Sequence, residues 1–203
     1  VQSGRFAYRS LAGEFVQIVP VGGKDKIAEA LRVRLARRSY EPIDHLVINL
    51  DSDLPAGVAE LSDLPGRIDR VLAKADPART RDSEGDWLLD AGRTVVSLVR
   101  WQADDGPVRG LPEKQTLERL MCAAIAGAYP DRAPVVQDWL DSRPNPPPAD
   151  AKEHAWSYMA GWHAHGGSEF FCRTIWQDAH VAAELRARLV KSGAWRIAEL
   201  LTR

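Results

Sequence analysis

Two aspartates, Asp51 and Asp53, stand one residue apart at the end of the apolar run His45-Leu46-Val47-Ile48-Asn49-Leu50. Side chains alternate along a strand, so positions i and i+2 point the same way and both carboxylates can converge on one cation. Carboxylate oxygens are hard ligands that suit Mg2+ or Mn2+, and an ion held beside a phosphate stabilises the charge that develops in an in-line displacement. The chemistry this pair could do is phosphoryl transfer. Asp-Ser-Asp-Leu-Pro is also ordinary turn chemistry, in which Asx side chains bond the local backbone. Lys24 follows Gly22 and Gly23, two residues that let a backbone approach a ligand closely, and its ammonium could contact a phosphate. The spacing around it is not that of a Walker A loop, and nucleotide hydrolysis is not implied. A second metal ion would require a third acid, for which Glu118 and Asp104 are the candidates.

These residues need elements to position them. Phe15–Val21 reads as a short β-strand, followed by the Gly-Gly-Lys turn and a helix with Ile27, Leu31 and Leu35 at i, i+4 and i+8. His45–Leu50 is the next strand. Strand, helix, strand in this length predicts a βαβ unit with parallel pairing. Ile68, Val71 and Leu72 predict a second helical stripe, with Pro65-Gly66 interrupting its start, and residues 76–86 read as a polar loop. Thr94–Trp101, rich in β-branched residues, is a third strand with the acidic exit Asp104-Asp105. Leu117, Leu120, Met121, Ala124 and Ile125 mark a helix that carries Glu118, and Val135–Leu140 suggests another. Arg143-Pro144-Asn145-Pro146-Pro147-Pro148 is a stiff connector. Beyond it, residues 151–165, 169–176, 179–191 and 195–201 all read as helical.

Composition narrows the classes. With 45% hydrophobic and 27% charged residues over 203 positions, the chain has the profile of a globular protein able to bury a substantial core. A formal net charge of -1 supplies no global positive field, so any nucleic acid must be held by a local patch. Lys24, Lys26, Arg32, Arg34, Arg37 and Arg38, opposed by Asp25 and Glu29, form such a basic segment, which a solvated helix face explains equally well. Cys122 and Cys172 are too far apart to resemble a zinc pair or a disulfide framework and fit a reducing, cytoplasmic setting. No run approaches the length of a membrane span. His154, His163, His165 and Cys172 lack the spacing of a zinc site, and with Trp156 and Trp162 around them they read as packing of a helical tail.

The order of these motifs, a strand, Gly22-Gly23-Lys24, a helix, a strand ending in Asp51-Ser52-Asp53, a third strand with an acidic exit and a helix with Leu117-Glu118, resembles the Toprim fold of primases, topoisomerases and the overcoming-lysogenization-defect nucleases. The chain looks most like prokaryotic Toprim-like proteins that append a helical tail. The resemblance covers Phe15 to about Ile125. It implies an α/β fold with a small parallel sheet flanked by helices over residues 1–130, and a C-terminal helical extension over 131–203. It further implies Mg2+-dependent phosphoryl transfer on DNA or RNA, nuclease chemistry with a role in phage defence or repair, with Asp51 and Asp53 on the metal, Gly22, Gly23 and Lys24 at phosphate, and Glu118 as a further catalytic acid. The family begins with a strand ending in Glu-Gly, whose glutamate is the general acid or base. In this chain Val1-Gln2-Ser3-Gly4 puts Gln2 at that place, too close to Phe15 for the usual first helix. Either a segment lies outside this sequence or the acid has been lost. Loss predicts a non-catalytic module that binds nucleic acid or a partner such as an ATPase, because glutamine cannot exchange the proton. A small-molecule phosphohydrolase using the same crevice is a third reading.

Overall fold

The computed structural model describes residues 6–9, 13, 15–52, 63–101, 114–145 and 177–200. Its strands are β1 (Phe6–Arg9), β2 (Phe15–Ile18), β3 (His45–Asp51), β4 (Thr80–Arg81), β5 (Trp87–Leu89) and β6 (Thr94–Trp101). Its helices are α1 (Ile27–Leu35), α2 (Leu64–Ala75), α3 (Leu117–Ala128), α4 (Ala133–Asp141), α5 (Ala179–Lys191) and α6 (Arg196–Leu200). The protein is α/β. A four-stranded mixed sheet has the order β3-β6-β5-β4, in which β3 and β6 are the parallel pair and the others run antiparallel.

The described residues divide into two compact units that interleave along the chain. The first gathers residues up to Leu50, then 63–99 and 196–200; the second holds Asp51, Ser52, 100–101, 114–145 and 177–195.

In the first unit one apolar cluster joins Ile27, Leu31 and Leu35 of α1, Leu64, Ile68 and Leu72 of α2, Ile48 and Leu50 of β3, Trp87 and Leu89 of β5, and Val96 of β6. The helical stripes predicted from the sequence are buried, Val71 only in part. Each such aliphatic side chain contributes about 1.5–3 kcal/mol through removal from water. Trp87 lies opposite Val96 in the β5–β6 register, so alternation puts Asp86 and Ser97 on the other face of the sheet. There the Asp86 carboxylate, buried, accepts a hydrogen bond from Ser97 Oγ at 2.6 Å and pairs with Arg196 of α6. Asp69 of α2 takes a two-pronged bond from Arg79, at 2.5 and 3.1 Å, and a third from the Trp87 indole at 2.9 Å. The Arg79 guanidinium, helped by the indole, holds its carboxyl below the usual value against an opposing desolvation effect.

Three expectations change here. Strand β2 does not pair with β3: it forms a separate two-stranded antiparallel ribbon with β1, Phe6 facing Ile18, while the parallel partner of β3 is β6. The predicted parallel βαβ pairing of Phe15–Val21 with His45–Leu50 is therefore absent, because the choice of partner strand is made by tertiary packing rather than by the pattern of either strand. Residues 76–86 are not all loop, since Thr80–Arg81 forms β4 against β5, both too short to leave a periodic signal. Pro65 does not interrupt α2; it sits in the first turn, where its missing N–H would have had no partner anyway.

In the second unit α3 packs along α5. Glu118 through Ile125 are buried without a break, so α3 has no solvent-facing side over its first two turns. A side chain at Gly127 would meet Glu184 Oε2 at 2.7 Å, and this glycine lets the Glu184–Arg188 pair of α5 lie across α3. Asp178 caps α5 by accepting from the His180 and Val181 amides and also accepts the Tyr129 hydroxyl at 2.6 Å. Among the described residues no helix is long and apolar enough to cross a membrane. The helical expectations for 151–165 and 169–176, with His154, His163, His165 and Cys172, fall outside the described residues.

Candidate metal and phosphate site

Strand β3 forms from consecutive aliphatic residues whose alternate members, Ile48 and Leu50, are buried. Its last residue, Asp51, is half-buried and enters the second unit, where Ser52 N–H still donates to the Trp101 carbonyl at 3.3 Å. The Asp51 carboxylate accepts a hydrogen bond from the backbone amide of Leu117, Oδ1 to N at 2.9 Å. Leu117 is the first residue of α3. Thr116 completes the cap, its Oγ1 accepting from the Arg119 amide at 3.2 Å. Two of the otherwise orphaned donors of the first turn are thus satisfied, and a negative charge sits at the positive end of the helix.

Glu118 follows the bonded amide directly. It is buried, 8% exposed, with Gln115 and Arg119 buried beside it at 3% each. The stripe Leu117, Leu120, Met121, Ala124 and Ile125 leaves Glu118 on no exposed face, since α3 has none over its first two turns. One turn further on, Cys122 is fully enclosed; burial, and then the negative Glu118, push its thiol far up, with Arg119 opposing. It is held as a thiol at neutral pH and is no nucleophile. The structure therefore brings Asp51 to the start of the helix that carries Glu118, two of the acids singled out in the sequence, from 66 positions away. Asp53, Asp104 and Gln2 lie outside the described residues. Among the described residues no three His, Cys, Asp or Glu side chains gather closely enough to hold a metal ion. The donor described at the strand end is the Asp51 carboxylate, a hard oxygen ligand of the kind Mg2+ takes, and Asp53 would supply a second.

The Gly-Gly-Lys turn belongs to the first unit. Gly22 has φ +78° and Gly23 φ +149° with ψ 150°, a conformation only glycine adopts readily, and a Cβ on Gly23 would lie 2.6 Å from Asp25 Oδ1. The Gly23 carbonyl accepts from Lys26 N at 3.2 Å, closing a single 3-10 turn over Lys24–Lys26 that leads into α1. Sequence reasoning missed Arg67. This exposed residue of α2 donates from its guanidinium to the Asp25 carbonyl at 3.0 Å, adding a cation to the turn from 42 positions away with no local signal to announce it. The basic segment on α1 is largely spent on internal pairs: Arg32 with Glu29, Arg34 with Gln17 and, at 3.6 Å, Glu41, and Arg38 with Asp90 at 2.9 Å and the Ala75 carbonyl at 2.8 Å.

Comparison with family models, with curated proteins and with solved structures returned no match. The functional reading therefore rests on the residues themselves.

Proposed function

We propose that this chain is a Mg2+- or Mn2+-dependent phosphoryl-transfer enzyme acting on nucleic acid, a nuclease of Toprim-like type working in the cytoplasm. Asp51 and Asp53 hold the metal with Glu118 assisting, and Gly22, Gly23, Lys24 and Arg67 receive phosphate. When bound, the ion offsets the charge that builds on phosphate oxygens during displacement. The observation that supports this reading is the Asp51 bond to the first amide of α3, because it joins the acidic strand end to the helix bearing Glu118. Asp51 is thereby oriented in advance, as a metal ligand needs to be.

A second reading, a non-catalytic module that binds nucleic acid or an ATPase partner, is favoured by a specific observation. Glu118 is buried beside Arg119 and Cys122, an environment that suits a structural ion pair as well as a catalytic acid. End-labelled single- and double-stranded DNA and RNA incubated with Mg2+ or Mn2+ separate the two. The enzyme reading expects cleavage that falls by about two orders of magnitude or more in Asp51→Asn and Asp53→Asn. Binding without cleavage under every metal condition supports the second reading instead.

A further inference from the structure

Helix α4 buries Val136 and Leu140 and leaves two apolar side chains outside, Val135 at 65% and Trp139 at 47% exposure. Tryptophan, with a large apolar ring and a polar N–H, is favoured on half-wet interaction surfaces. The neighbour here is Arg143, whose guanidinium carbon sits 5.0 Å from the Trp139 ring centroid. The backbone turns on past the helix, Arg143 N–H donating to the Leu140 carbonyl at 3.2 Å, so residues 135, 139 and 143 follow at helical spacing on one face. The acidic Asp138 lies about 100° round the helix from Trp139, off that face. An arginine over a tryptophan recurs in this unit, where Arg186 of α5 lies 4.9 Å from the ring centroid of Trp195, just past the helix end.

From this we infer that the Val135–Trp139–Arg143 face of α4 is a stacking platform for single-stranded nucleic acid, an unpaired base lying on the indole while Arg143 meets the adjoining phosphate. The inference rests on the nucleic-acid part of the function proposed above. Two apolar side chains fall far short of the roughly 1,200–2,000 Å2 that a stable protein interface buries. One base is about the size of one indole, and an aromatic ring with an arginine beside it is how single strands are gripped without sequence preference. A duplex keeps its base faces stacked and offers them to no side chain.

Fluorescence anisotropy of labelled dT20, rU20 and a 20-base-pair duplex, with the full chain at low salt and along a salt titration, tests the platform. Trp139→Ala is expected to weaken single-strand binding by about 5- to 100-fold and to leave duplex binding unchanged, Trp139→Phe to retain most of it. Arg143→Ala is expected to weaken it and to lower the log-log salt slope by about 0.7, one phosphate contact. Trp139 is exposed, so circular dichroism should report an unaltered fold. Wild-type binding of single strands that Trp139→Ala leaves intact overturns the platform alone. Absence of binding by the wild type to any of the three probes overturns the platform together with the nucleic-acid reading. Loss of self-association in Trp139→Ala, without change in oligonucleotide affinity, would assign the face to a second copy of the chain and also overturn it.

Discussion

Replacing Asp51 in two ways separates its structural role from its proposed chemical one. Its Oδ1 receives the Leu117 amide at 2.9 Å, and Asp51→Ala leaves that donor at the head of α3 without its acceptor. Capping losses run to about 0.5–2 kcal/mol, and a bond to a charged group to about 1.5–3 kcal/mol; for a half-buried site, roughly 2 kcal/mol is expected. Asp51→Asn keeps a carbonyl oxygen where Oδ1 stood and forfeits only the attraction between the charge and the helix N-terminus, about 0.3–1 kcal/mol. For a chain of this size each kcal/mol moves Tm by about 2–4 °C. Thermal denaturation at pH 7 should therefore show Asp51→Ala melting about 4–8 °C below wild type, and Asp51→Asn about 1–4 °C below it. In 10 mM Mg2+ the wild-type Tm should rise while that of Asp51→Asn stays put, since a ligand stabilises only the form that binds it. Equal losses in the two variants would refute the argument by showing that charge, not the acceptor, anchors α3. An unchanged Tm for Asp51→Ala would remove the bond from the account.

Other consequences follow from the same geometry. Because Arg79 holds the Asp69 carboxyl below its unfolded value of about 3.9, its stabilisation is complete above that pH and is lost as pH falls through the folded value. Asp69 is partly exposed, so the screened contribution is about 0.5–1 kcal/mol, and urea midpoints at pH 7 and pH 3 should differ by less in Asp69→Asn than in wild type. Ala91 has φ +57° between Asp90 at +53° and Gly92 at +88°; Ala91→Gly should raise stability by about 0.5 kcal/mol and Gly92→Ala lower it by about 1 kcal/mol, opposite signs that chemical denaturation would read directly. Arg196→Ala leaves the buried Asp86 with Ser97 as its side-chain donor among the described residues and should cost about 2 kcal/mol, part of it restored by adding Asp86→Asn.

Legibility in the sequence followed the strength of local pattern. Ile27, Leu31 and Leu35 recur at one period over a whole helix, and Thr94–Trp101 concentrates β-branched residues, so α1 and β6 could be read without knowing their neighbours. Strands β4 and β5, of two and three residues, carry no period to read. The pairing of β2 with β1 was hidden for another reason: one alternating strand looks the same whichever edge it joins. The burial of Glu118 left no mark in the sequence, because α3 is enclosed over its first turns, where charge and apolarity are buried together. The glycine turn was legible, as Gly22 and Gly23 do adopt conformations that other residues avoid. Arg67 and the Asp51–Leu117 bond were not, since both are contacts between residues distant in the chain.

The acidic end of β3 is proposed to hold a divalent cation, and Mn2+ binding measured by electron paramagnetic resonance tests this with no substrate needed. The wild-type chain is expected to bind Mn2+, Mg2+ to displace it, and Asp51→Asn and Asp53→Asn each to weaken binding by tenfold or more while remaining folded. A wild-type chain that leaves Mn2+ free in solution, or an Asp51→Asn variant that binds it as tightly as wild type, would contradict the proposal.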